Sequence, residues 1–110
     1  MHRKGPMAQF DVYPNPVEEL RPSHPYVLQI QSGFLKNAVA VIVIPLARLV
    51  PDTSSVERLN PVFEVAGEKV LLEVLGITSF EPSDLRRPVV NLTHDADAIW
   101  AALDYAVHGY

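Results

Sequence analysis

Ala38-Val-Ala-Val-Ile-Val-Ile44 is apolar at every position and β-branched at five of its seven. Neither face of such a segment tolerates water, and its residue shapes favour extended chain, so it predicts a central strand covered above and below. Closed by Pro45, it is far too short to cross a bilayer. Leu46 to Val50 reads as a second short apolar piece, ended by the polar, turn-rich Pro51-Asp-Thr-Ser-Ser55. The rest of the chain must supply the neighbours and the cover for this strand.

Working outward, the first strand of the chain is Gln9-Phe-Asp-Val-Tyr13, which alternates apolar with polar and stops at Pro14-Asn-Pro16. Val17 to Pro25 has the composition of a surface connection. Tyr26 to Gln31 alternates again and ends in Ser32-Gly33, a turn. On the other side, Val62–Val65 and Lys69–Leu75 flank Ala66-Gly67-Glu68, the spacing of an antiparallel hairpin. Ile77 and Phe80 are expected in the core, Pro82-Ser-Asp84 in a turn, and Val89-Val90 in a short strand.

One helix follows. Thr93 is placed as its N-cap, and Asp95 and Asp97 sit where the positive end of the helix dipole favours carboxylates. Ala96, Ile99, Trp100, Leu103 and Val107 recur at i, i+3, i+4, i+7 and i+11, an apolar stripe expected to pack on the sheet. These patterns alone predict a mainly antiparallel β, α+β chain: a partly open barrel of five to seven strands with one C-terminal α-helix. At 110 residues it is one domain, assigned to residues 7–110, with residues 1–6 read as an extension or remnant before Met7.

Composition excludes several functions. The formal net charge is −4, and Arg86-Arg87 is the only basic pair beyond the first four residues, so no phosphate-tracking stripe exists and direct nucleic-acid binding is not expected. With no cysteine there is no thiolate catalysis, disulfide or Cys-ligated zinc. No signal peptide or membrane span is visible, so a cytoplasmic location is expected. His24, His94 and His108 are far apart, the glycines are isolated, and no serine sits in a nucleophile elbow. No catalytic residue, metal or cofactor is assigned. What remains is the final Tyr105-Ala-Val-His-Gly-Tyr110, whose aromatics and imidazole gain little at a chain end unless another protein docks there.

Taken in order, several segments resemble the CcdB toxins of bacterial toxin–antitoxin operons. They are Met7-Ala-Gln-Phe-Asp-Val-Tyr13, Val41-Ile-Val-Ile-Pro-Leu-Ala-Arg-Leu49, Leu59-Asn-Pro-Val-Phe63, Asn91-Leu-Thr-His94, and Gly109 followed by one last apolar residue. The resemblance spans about residues 7–110. It implies a small SH3-like barrel and a homodimer that acts as a non-enzymatic poison of DNA gyrase in plasmid maintenance. It further implies that the end of the helix enters the dimerisation region of the gyrase A subunit and traps the enzyme on cleaved DNA. Carried over position by position, the gyrase contacts fall on Asp104, His108, Gly109 and Tyr110, with one more at Phe34. A CcdA-like antitoxin, folding from a disordered segment along the toxin, is the second implied partner.

This chain departs from the family where the contacts concentrate. The family's Trp-Gly-Ile ending is His108-Gly109-Tyr110 here, and the usual helix Asn is Asp104. Two other readings follow from the same residues: a CcdB-like module that binds antitoxin without poisoning gyrase, or has a different target, and a MazF-like endoribonuclease, since those toxins share the fold. The ribonuclease would need basic and acid/base groups converging on a groove.

Overall fold

The computed structural model describes residues 8–33, 39–51 and 59–109. Seven strands form one antiparallel sheet curled into a nearly closed barrel: β1 (Asp11–Pro14), β2 (Tyr26–Gln29), β3 (Val41–Arg48), β4 (Val62–Val65), β5 (Glu68–Leu72), β6 (Thr78–Phe80) and β7 (Val90–Asn91). Along the sheet the order is β4-β5-β3-β2-β1-β7, with β6 also on β3. Helix α1 (Ala96–His108) closes the chain.

The expected central strand is present, and it is longer than its apolar run suggests. One edge of β3 pairs with β2, from Gln29↔Val43 to Tyr26↔Leu46. Its other edge pairs first with β6, through Val41↔Phe80 to Val43↔Thr78, and then with β5, through Leu46↔Leu72 to Arg48↔Val70. Pro45 sits at the seam between these two partners. Its carbonyl accepts the Glu73 N–H at 3.0 Å, so its nitrogen faces the same edge, where β6 has ended and β5 has not begun. A proline costs no ladder bond at that place. Leu46–Val50 is therefore not a separate piece, and β3 runs straight through the proline to Arg48.

Alternation along the strands builds two cores. Val12, Leu28, Ile44, Leu46, Val65, Val70 and Leu72 point to the larger one, which Leu92, Ile99 and Ala102 cover. Tyr13, Val27, Val41 and Val43 point the other way, into a smaller cluster with Leu85 and the partly buried Phe80. Phe80 thus lies where the sequence puts it. Ile77 does not: it is 48% exposed, and Leu85 takes the buried place in this segment. The β4–β5 hairpin turns on Ala66 and Gly67 at φ 52° and 82°, the left-handed pair that a two-residue turn between twisted strands needs.

Strand β1 starts at Asp11 rather than Gln9, because Phe10 adopts a left-handed φ of 71° while its N–H donates to the Gln29 carbonyl. Strand β2 ends at Gln29, and beyond it the Gln31 side chain substitutes for backbone, accepting from Ile42 N–H and donating to the Ala40 carbonyl. At the far end of β3, Arg48 bonds Glu68 on β5 and donates to the Pro22 carbonyl. The Glu68 hydrogen bond holds its guanidinium above the usual value.

Helix α1 packs with Ile99 and Ala102 buried, and Ala96, Leu103 and Ala106 partly buried against the same core. The expected stripe is thus rotated, with Ala102 and Ala106 taking inner places while Trp100 is 40% and Val107 75% exposed. Small side chains let the helix axis approach the sheet, whereas an indole in the contact would hold it away. Ile99→Ala is expected to cost about 2–5 kcal/mol of stability, and Val107→Ala to stay within about 0.5 kcal/mol, both read by denaturant unfolding.

Candidate functional site

The start of the helix is pinned by a buried polar network. Asp11, 1% exposed on β1, accepts from Ala8 N–H and the Tyr13 hydroxyl through Oδ2 and from Asn91 Nδ2 through Oδ1 at 3.0 Å. Asn91 Nδ2 also donates to the Gln9 carbonyl, while its Oδ1 accepts the Thr93 N–H at 2.9 Å and the Thr93 hydroxyl. Asn91 therefore satisfies the helix-start donor and fastens it to β1. Thr93 is not the N-cap: it opens a 3₁₀ turn, Thr93–Asp95, with α1 beginning at Ala96 and no side-chain cap on Asp95. Asp97 remains in the first turn of α1, as the dipole argument expects.

At the other end the helix stops on Gly109, at φ 82°, whose N–H donates to the Tyr105 carbonyl at 2.8 Å. This left-handed cap is one that glycine adopts without strain, and a Cβ there would meet nothing within 4 Å. The last turn is therefore closed by this cap, with Val107, His108 and Gly109 exposed on it. Asp104 and His108 are exposed on it, in line with Asp97 and Ala101 along the ridge farthest from the core. The structure thus brings Asp104, His108 and Gly109 together on one projecting turn. Phe34 and Tyr110 lie outside the described residues.

A second cluster escaped the sequence reading, because its members are 49 positions apart. His24 Nε2 lies 3.1 and 3.2 Å from the two Glu73 carboxylate oxygens, and its Nδ1 lies 2.8 Å from Ser23 Oγ. His24 and Glu73 border a groove of about 240 Å³ lined also by Leu20, Val27, Pro45 and Phe80. Both ring nitrogens are engaged, and Ser23 Oγ also meets the Leu20 carbonyl, so the trio acts as a latch holding the 15–25 connection to the end of β5. Asn15 supports it from below, donating to the His24 carbonyl and accepting the Val17 N–H. Arg86 and Arg87, the one basic pair beyond the first four residues, are exposed in the segment before β7. Among the described residues no three His, Asp or Glu side chains gather to hold a metal, and no helix is long and apolar enough to cross a membrane.

A model of the CcdB protein family matches residues 9–109. The chain belongs to the CcdB family. Membership makes it a toxin of the toxin–antitoxin kind, with an antitoxin as the kind of partner it has. No curated protein matches the chain. The match covers the network of Asp11 and Asn91 at the base of the helix and the Gly109 cap at its tip. In this CcdB-family chain Asn91→Ala is expected to cost about 1–3 kcal/mol, since it removes one bond from buried Asp11. Asn91→Asp should cost more, because it keeps the Thr93 acceptor but sets a second carboxylate against Asp11. Urea unfolding of the two variants checks the order.

Proposed function

We propose that the protein binds the A subunit of DNA gyrase through the end of α1 and poisons gyrase on cleaved DNA, as a homodimer neutralised by a CcdA-like antitoxin. The observation that supports this reading is the last turn itself: Asp104, His108 and Gly109, onto which the resemblance carries the family's contacts, are exposed together at the tip of a helix whose base is hydrogen-bonded to β1. A rigid exposed helix loses little conformational freedom on entering a partner's cavity, so its binding energy is kept for contact. Gly109 allows the chain to turn at the helix end, and Phe34 and Tyr110 complete the proposed contact.

His108 changes the chemistry of that contact relative to the family's tryptophan. Its smaller ring offers less area and weaker attraction to a cation, and protonation would turn the attraction into repulsion. Asp104 works in the other direction, adding a carboxylate that draws a partner arginine to the same turn. The poisoning is accordingly proposed to survive the loss of the terminal tryptophan, with altered preference among gyrases.

The test is a cleavage-complex assay with purified protein, gyrase, ATP and supercoiled DNA, run beside a variant truncated after Val107. Linear DNA is expected with the full-length protein and not with the truncated one. A folded full-length protein that yields none overturns poisoning of that gyrase.

A further inference from the structure

The chain's single tryptophan stands on α1, and the core uses only one side of it. Phe10, itself 4% exposed, meets the Trp100 ring edge-on, with centroids 5.5 Å apart and planes at 69°. The ring rests on this contact, yet 40% of the residue is open. At 3.6 residues per turn, Asp97, Asp104 and Val107 lie at i−3, i+4 and i+7 from it, on the same flank of the helix. Val107 is 75% exposed. Asp97 and Asp104 have no ion-pair or hydrogen-bond partner among the described residues, and α1 contains no Lys or Arg.

A fixed aromatic surface with a carboxylate one turn to either side and an apolar shoulder is the complement of an arginine side chain. The ring attracts the guanidinium, the carboxylate takes its N–H fork, and the shoulder covers its methylene stem. An acidic or purely apolar partner surface would bury the two carboxylates without counter-charge, which is strongly unfavourable.

We propose that Trp100, with Asp104 and Val107, forms an arginine-binding contact on the flank of α1 and is a specificity-determining residue for the protein partner that the helix end engages. This rests on the gyrase reading and deepens it. It places the aromatic contact with the partner about 12 Å back along the helix from His108, where the indole already rests against Phe10. Asp104 then belongs both to the projecting turn and to the Trp100 flank, and joins them into one surface.

The test uses the full chain labelled with 5-fluorotryptophan, which gives one fluorine resonance, titrated with the gyrase A dimerisation-region fragment while calorimetry reports binding. The Trp100 resonance is expected to shift on complex formation. Trp100→Leu, which keeps bulk against Phe10, and Asp104→Asn, which alters only an exposed carboxylate, should each weaken binding about tenfold, and Trp100→Phe by less. Thermal melts confirm that each variant is folded, and Asp104→Asn keeps the test valid should Trp100→Leu unfold. If the fragment binds while the resonance stays still and Asp104→Asn binds like the parent, the arginine contact is overturned and the gyrase reading stands. If calorimetry shows no binding at all, both fall.

Discussion

Everything in this molecule is arranged around a strand that must be covered on both faces and paired on both edges. β3 has Ile44 and Leu46 toward one core and Val41 and Val43 toward the other, so the sheet cannot lie flat with one wet side. Its edges take β2 on one side and β6 then β5 on the other, which curls the sheet toward a barrel. The curled sheet leaves a larger core that Ile99 and Ala102 of α1 cover. Packing then dictates which residues of the helix are spare. Once Ile99, Ala102 and Ala106 are committed inward, Asp97, Ala101, Asp104 and His108 must face out.

Polar groups convert that packing into a direction. A helix docked only by apolar contacts could slide or tilt; hydrogen bonds donated by Asn91 to buried Asp11, and by Thr93 to Asn91, fix its base against β1. The helix end is held in turn by the Gly109 cap. The last turn of α1 thus inherits its position from a carboxylate 1% exposed at the far end of the same helix.

Much of the architecture was legible in the sequence because it depends on local pattern. The run from Ala38 to Ile44 announces the central strand, the Ala66-Gly67 turn its hairpin, and the 3.6-residue recurrence the helix. Pro45 misled, since whether a proline breaks a strand depends on which partner faces its nitrogen, and that is set by residues from Leu72 to Thr78. The inner face of α1 misled for a related reason: alanine is ambiguous in sequence, and only the closeness of helix and sheet decides that Ala102 is buried while Trp100 stays half open. Asn91 outcompetes Thr93 as the helix-start acceptor because its amide reaches β1 as well. The His24–Glu73 latch had no signal, since nothing local links positions 24 and 73. His108 and Gly109 stand out in the residues of the chain end alone, whereas Asp104 is singled out only by the family likeness.

The central claim is that the last turn of α1 is the surface a partner grips, with the sheet as its support. Hydrogen–deuterium exchange of the full protein, alone and with the gyrase A dimerisation-region fragment, addresses it most directly. The amides of residues 104–109 should exchange more slowly in the complex, with those of β2, β3 and β5 unchanged. Protection confined to the sheet or to the 15–25 connection, with the last turn exchanging as before, would contradict the account.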